Sequence, residues 1–401
     1  MTVHQDEITI WNFLTSDAGA ALLAEDWSGE SLAAIGQLRK RCAPEQAAAV
    51  YSLWQARQKA AGKFPESFAH DAFLTDRMLQ QASSWRMATW LGREFAAAGC
   101  DAVWDLCSSM GVDAIGLAGA NVPTVGLDCD PVAVLCAKHN AAIAGAQQCE
   151  FRLGRVEESL GEIPAGAWVH IDPDRRASGK RSAALSDYSP SEDILRRVID
   201  QTAGGAMKLS PALGFGALEE WGVNIEYVSE KRVCRQLVAW WGEAAASRPA
   251  RCATLVAGEA DSLTVTRVVC GEAGMSSVKP LGAYLYELDP AVIAADGVDD
   301  LAALGELWRI DARLDWLSGD NLFEHPALRT FSVLGECPAR PRDLRAALRG
   351  LDAGEVAIKP RGIQVNTTRL QREFRGTGER RIAIFWGRFG RKERCILAER
   401  L

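Results

Sequence analysis

Residues 167–182 read AWVHIDPDRRASGKRS, an apolar run that ends abruptly in charge. Ala167, Trp168, Val169 and Ile171 make a segment of strand length and composition. Asp172-Pro173-Asp174-Arg175-Arg176 then sets two carboxylates, a proline and two guanidinium groups at its end. Charge at the mouth of a buried strand is costly unless something there compensates it. Pro173 fixes its own φ and biases Asp172 toward an extended backbone. Asp172, Pro173, Asp174 and Arg175 are therefore candidate catalytic residues, and Lys180 and Arg181 in the following Gly/Ser stretch are candidate anion contacts.

Working outward, the same pattern recurs. DAVWDLC, TVGLDCD, CEFRLG, AWVHID, GAMKLS, NIEYVS and RCATLVAG are strand candidates between residues 100 and 272. The first five are separated by segments long enough for crossover helices, which predicts a largely parallel, doubly wound α/β sheet. Ligands of such sheets sit at the carboxyl ends of the strands, near the switch point in strand order. There the first strand runs into DLCSSMGVDAIGLA, an acid followed by a tight loop and a helix start, with Asp105, Cys107, Ser108, Ser109 and Gly111 as candidate cofactor contacts. The second strand ends in GLDCDP, where Asp128 can accept both hydroxyls of a ribose and Cys129 follows it. Strand three leads into LGRVEES, with Arg155 and, two residues on, Glu157 as a further candidate cofactor contact. A dinucleotide fold would place GxGxxG after strand one to cradle a pyrophosphate. CSSMGV holds one of those glycines, which favours a nucleoside ligand without phosphate, such as S-adenosylmethionine. Lys208 and Pro211 on strand five reach the same rim.

Residues 1–99 read as helical. PEQAAAVYSLWQARQKA puts Ala47, Val50, Tyr51, Trp54 and Ala61 near one face. LTDRMLQQASSWRMATWLGREFAAAG reads as one helix, capped by Thr75 and stopped by Gly99. Residues 273–338 and 339–401 read as small α+β units, the last closing with a hairpin around GRFGRKE.

With 401 residues the chain is too long for a single ordinary core. Its 48% hydrophobic and 24% charged composition is that of a globular protein with no membrane-spanning run. The acidic start MTVHQDEITI lacks the order of a signal peptide, which points to the cytoplasm. The 11 cysteines form no CxxC pair, so neither a disulfide framework nor a metal site is expected. The net charge of −7 conceals an asymmetry: from Arg340 onward sixteen basic residues face seven acidic ones. A basic segment on an acidic body suits a polyanionic partner. Trp386, Phe385 and Phe389 interleave with Arg388 and Arg391, and aromatics in such a hairpin read as core; Phe64 is the candidate base-stacking ring near the core.

HIDPDRR resembles the Asp-Pro-Pro-Tyr class of strand-four motif of class I methyltransferases. The linked order KFPESF, LQQASSWRMATWLGREF, VWDLCSSMGVDAIGLA, VGLDCDP, HIDPDRR, KLSPALGF, YLYELDPAVIAA and IKPRGIQVNTTRLQREFRG resembles a bacterial family of such enzymes. The likeness extends from about residue 45 onward. It implies an S-adenosylmethionine-binding Rossmann-like domain over 100–272, a small ferredoxin-like module over 273–338 and a basic THUMP-like domain over 339–401. It also implies that the accessory domain faces RNA. Together with the acids after strands one and two, DPDRR after strand four and the basic tail, it predicts transfer of a methyl group to a base nitrogen of structured RNA. Related sequences carry glycine where this chain has Ser109, a side chain tolerated there if its φ is negative. A non-catalytic RNA-binding or assembly factor on a degenerate methyltransferase scaffold is the alternative kept open by Ser109, by Arg155 where many methyltransferases place an acid, and by the absence of an aromatic after Asp172-Pro173.

Overall fold

The computed structural model describes residues 2–175 and 184–401. Arg176, Lys180 and Arg181, singled out above, lie outside them. The chain divides into two compact units, one of residues 1–224, 237–248 and 258–263, the other of 225–236, 249–257 and 264–401.

The first unit opens with helices α1 to α7, spanning Thr2–Leu14, Asp17–Leu23, Ser31–Leu38, Pro44–Ala60, Glu66–Asp71, Asp76–Gln81 and Trp85–Ala97. The single helix expected after Thr75 is two. Thr75 caps α6 by accepting from the Met78 N–H, and Ser84 caps α7 by accepting from the Met87 N–H. A second capping serine thus restarts the helix after a break at Ala82-Ser83-Ser84.

Strands β1 (Val103–Leu106), β2 (Thr124–Asp128), β3 (Cys149–Leu153), β4 (Trp168–Ile171) and β5 (Gly204–Leu209) then alternate with α8 (Val112–Gly119), α9 (Pro131–Ile143), α10 (Val156–Ser159) and α11 (Glu192–Gln201). All five strands are parallel, in the spatial order β3-β2-β1-β4-β5. The order reverses between β1 and β4, which makes their carboxyl ends the switch point. Beside β5, and antiparallel to it from Leu237 to Gly242, runs the end of the later strand Val233–Gly242. Sequence reading missed that strand: it is buried without break from Gln236 to Trp241, so it lacks the alternation that marks a half-exposed strand.

The N-terminal helices share one hydrophobic core with α8, α9 and Phe151 of β3. Helices α7 and α8 cross at Gly92 and Gly116. A Cβ at Gly92 would fall 2.1 Å from the Gly116 carbonyl oxygen, and one at Gly116 would fall 2.3 Å from that of Ala88. Only glycine permits that approach.

In the second unit, β6 (Asn224–Glu230) runs parallel to β8 (Arg251–Ala257), with β7 being the strand Val233–Gly242 above, and β9 (Thr264–Val269) lies antiparallel to β8. A seven-stranded sheet follows, built from β10 (Tyr284–Leu288), β11 (Trp308–Arg309), β12 (Trp316–Gly319), β13 (Leu328–Pro338), β14 (Ala353–Arg361), β15 (Arg380–Phe389) and β16 (Lys392–Arg400). Its order is β11-β12-β10-β13-β16-β15-β14, so segments 273–338 and 339–401 meet in one sheet through the β13–β16 ladder. Helices α12 (Pro290–Ala294) and α13 (Val298–Leu304) follow β10. Helices α14 (Pro341–Gly350) and α15 (Thr367–Phe374) flank β14 in sequence and pack Leu344, Leu348 and Phe374 with Ile382, Ile384 and Trp386. Ala383 and Phe385 instead join the second cluster, with Trp316 and Phe331. This period of two is that of a strand buried on both faces. Phe385 and Trp386 are core residues, as the hairpin reading expects.

Candidate active site at the strand ends

The loop after β1 returns to left-handed backbone at every second residue: Cys107 at φ 60°, Ser109 at φ 48° and Gly111 at φ 84°. The serine at 109 does not have the negative φ that would make it an easy replacement for glycine. For an L-residue this conformation costs roughly 1–2 kcal/mol. The loop keeps its shape through bonds from several elements. Ser109 N–H donates to Asp128 Oδ2 at 2.8 Å, Ser108 N–H to the Leu127 carbonyl at 3.1 Å and Gly111 N–H to that of Ser108 at 2.9 Å. Asn140, fully buried on α9, donates from Nδ2 to the Met110 carbonyl at 3.0 Å and holds Phe73 through both of its backbone groups. Added bulk at Gly111 would press on Ala137 and Phe151, both at 3.0 Å.

Asp128 lies half-buried at the tip of β2, its Oδ1 taking the Asp130 N–H at 2.9 Å. Burial pushes its pKa up against these backbone donors. Cys129 beside it is exposed. Glu157 is half-buried in the first turn of α10, 3.8 Å from the exposed Arg155. Ser108 is buried, with its Oγ lacking a hydrogen-bond partner among the described residues.

Asp105 is placed differently from the other candidates. It is 1% exposed, and its Oδ1 sits 2.6 Å from Nδ1 of His170, its register partner on β4, also 1% exposed. Its Oδ2 has no partner among the described residues. Burial raises the Asp105 pKa despite His170. Burial is the largest influence on His170 and opposes its charge, but the bond to Asp105 and the charges of Asp105 and Asp113 together outweigh it and raise the imidazole pKa. The pair holds its proton tightly beneath the loop, and Asp105 is closed off from the rim. Sequence reading passed over His170, though a histidine between Val169 and Ile171 in a buried strand needs a polar partner.

The Asp-Pro-Asp motif spreads over two sets of partners. Asp172 Oδ2 accepts from Lys208 Nζ at 2.5 Å, and the Asp172 N–H donates to the Leu106 carbonyl at 3.2 Å, closing the switch point. Pro173 is buried. Asp174 turns to α6, taking Arg77 at 2.9 Å and Gln81 at 3.2 Å, and bridges Ser189 through both backbone groups. Arg175 is half-buried, its charge near the buried Tyr188, whose hydroxyl accepts from the Ser210 N–H at 3.0 Å. Lys208 is not a rim charge: it is held by Asp172, Asp113 and Ser83. Phe64 is 5% exposed and packs edge-on against Phe68 and Trp85, so it is core and no stacking platform.

Among the described residues no group of three or more His, Cys, Asp or Glu is arranged to hold a metal ion, and no helix is long and apolar enough to cross a membrane.

A doubly wound sheet with an antiparallel strand beside β5, a glycine-type loop after β1, an acid at the tip of β2 and an Asp-Pro motif after β4 define a class I methyltransferase. Comparison with known proteins agrees. The chain is 32% identical over 343 residues to an uncharacterized S-adenosylmethionine-dependent methyltransferase of Mycobacterium tuberculosis (strain CDC 1551 / Oshkosh), covering 83% of this chain and 90% of that one. The counterpart from strain ATCC 25618 / H37Rv matches equally. The chain belongs to this family of S-adenosylmethionine-dependent methyltransferases. Residues 328–400 match the THUMP domain-like family. The crystal structure of a candidate methyltransferase from Porphyromonas gingivalis W83 shares the fold, with a TM-score of 0.73 at 15% identity over 98% of this chain and 96% of that one.

Proposed function

We propose that this methyltransferase modifies a base nitrogen in structured RNA, at the strand ends described above. The observation that carries the reading is the loop 107–111, which keeps a left-handed, glycine-type path at two non-glycine positions beside Asp128. Backbone held at such a cost is typical of ligand-clamping loops.

The residues fit S-adenosylmethionine. Ser108 has a buried hydroxyl with no partner among the described residues, and the loop carries the small side chains of Cys107, Ser108 and Ser109. The Asp128 carboxylate is met by backbone N–H groups, and with about four acceptor sites it retains capacity for ribose hydroxyls. Cys107, Ser108, Ser109, Gly111, Asp128, Cys129 and Glu157 would hold the cofactor, with Asp105 acting beneath the loop. When bound, S-adenosylmethionine supplies a methyl group on a positively charged sulfur. The chain's own work is then positioning and exclusion of water. Asp172, oriented by Pro173, accepts a hydrogen bond from the target nitrogen, while Asp174 and Arg175 shape the rim.

The RNA reading rests on the C-terminal charge and the THUMP domain-like match. Arg342 and Arg349 on α14, Arg369 and Arg372 on α15 and Arg375 after it are exposed, and none forms an ion pair among the described residues. Exposed cations of this kind neutralise phosphates with little sequence preference. The test is transfer of tritiated methyl from S-adenosylmethionine to RNA purified from cells lacking the protein. Label in a single nucleotide, absent with Asp172→Asn, supports the reading; label only in protein or small molecules overturns the RNA assignment.

A further inference from the structure

The ammonium of Lys208 is the centre of a closed three-point mount. Its Nζ lies 2.5 Å from Asp172 Oδ2, 3.3 Å from Asp113 Oδ2 and 2.9 Å from Ser83 Oγ, and the Ser83 hydroxyl in turn donates to Asp113 Oδ2 at 3.0 Å. A lysine ammonium has three donors and no acceptor, so these contacts use all it has. The partners come from the break between α6 and α7, the first turn of α8, and the loop after β4. The side chains of Lys208 and Asp113 are only 14% and 12% exposed, whereas that of Asp172 is 31% exposed. The mount is buried and opens at Asp172. Burial works against the Lys208 charge, but Asp113 and Asp172 outweigh it and raise its pKa, so the ammonium persists at every physiological pH.

We infer that Lys208 is a positioning residue for methyl transfer: by occupying Asp172 Oδ2 it leaves Oδ1 as the carboxylate oxygen that receives the hydrogen bond of the methyl-accepting nitrogen. Oδ1 has no partner among the described residues. A carboxylate free to rotate would offer either oxygen over a range of angles; one pinned through Oδ2 offers a single acceptor in a fixed direction. Misplacement by about 1 Å can cost about 10²-fold in rate. Ser83 and Asp113 serve this end by fixing the ammonium, which gives the N-terminal helical segment a part in the site. Asp174, held by Arg77 and Gln81 of the same segment, is secured from the same side.

The inference rests on the RNA methyltransferase reading, and one experiment separates the two. Methyl transfer to RNA from cells lacking the protein is measured for wild type, Lys208→Met, Lys208→Arg and Ser83→Ala, with S-adenosylmethionine affinity from calorimetry and melting temperature taken in parallel. The expected result for Lys208→Met is a kcat about 100-fold lower with S-adenosylmethionine affinity within twofold of wild type. Lys208→Arg restores part of the rate because a cation again holds Oδ2. Ser83→Ala, which removes one leg of the mount and keeps the pair, lowers kcat several-fold and serves should Lys208→Met fail to fold. A kcat for Lys208→Met within threefold of wild type overturns the inference alone. Losses in kcat for Ser83→Ala that match losses in cofactor affinity or thermal stability also overturn it, because they mark a merely structural role. Wild-type protein that labels no RNA overturns the RNA reading, and the inference with it.

Discussion

The strand ends of the first unit and the α14–α15 surface of the second both concentrate charge, but they treat it in opposite ways. At the strand ends nearly every charged group is bonded: Asp105 to His170, Lys208 to Asp172 and Asp113, Asp174 to Arg77. On α14 and α15 the arginines extend into solvent, with Arg345 and Glu373 forming an exposed pair between the helices. Paired, desolvated charge fixes geometry and tolerates little change, because removing one partner strands the other. Exposed charge fixes no geometry, and it contributes an additive, salt-screened attraction. The first pattern suits chemistry at one atom, the second capture of a long polyanion.

The contrast is sharpest where a buried pair is broken. His170→Leu leaves the Asp105 carboxyl without its partner in a 1% exposed position, and a loss of about 3 kcal/mol in unfolding free energy is expected from denaturant titration. The pair also makes a signed pH prediction. Its raised imidazole pKa means that the folded chain retains a proton that the unfolded chain releases near the ordinary histidine value of 6.5. That stabilisation is complete below pH 6.5 and is lost as pH rises through the folded pKa. Wild type should therefore lose stability as pH rises above 6.5 by an amount that the double variant Asp105→Asn/His170→Leu, in which neither group titrates, does not. An equally steep decline in that double variant would mean the pair does not hold its proton.

Asp128→Ala comes next. It removes the acceptor of the Ser109 N–H as well as the acid at the tip of β2. Loss of charged hydrogen bonds of about 2 kcal/mol in total predicts roughly 30-fold weaker S-adenosylmethionine binding by calorimetry. Unchanged affinity would remove the loop from the cofactor site. The exposed face should respond gently and by accumulation. Replacing Arg342, Arg349, Arg369, Arg372 and Arg375 together with alanine should flatten the dependence of log affinity for RNA on log salt. The slope falls by about 0.7–0.9 for each phosphate that is no longer neutralised. The melting temperature should hardly move, since these side chains are exposed.

How far these two regions were legible in sequence follows from how local their causes are. Strand ends announce themselves by a switch from apolar to charged or small polar residues within one short segment, and HIDPDRR, GLDCD and WDLCSSMG all do so. The basic surface is a matter of counting. What sequence did not show was the set of partners. Lys208 finds Asp172, Asp113 and Ser83 across 36, 95 and 125 residues, and no local pattern encodes a contact at that range. Ser83 was hidden further by an unbroken helical reading of residues 76–98, because apolar spacing continues through the break and only the second capping serine marks it. Asp105 was legible as an acid at a strand end, but its burial depended on His170 in the neighbouring strand.

The smallest effect tests the loop itself. Cys107 and Ser109 hold left-handed backbone that glycine would adopt without steric cost, and Gly111 already does. Ser109→Gly should relieve roughly 1–2 kcal/mol of that cost in the folded chain. Part of the gain is returned because glycine has more freedom when unfolded, so a net stabilisation of about 0.5–1 kcal/mol is expected. Ser109 contributes its N–H, not its side chain, to Asp128, so the substitution leaves that bond in place. A stabilised variant with unchanged cofactor affinity would show that residue 109 matters through its backbone alone. A stabilised variant that binds S-adenosylmethionine more weakly would show that the serine hydroxyl touches the cofactor, and that the strain at 109 is kept for that contact.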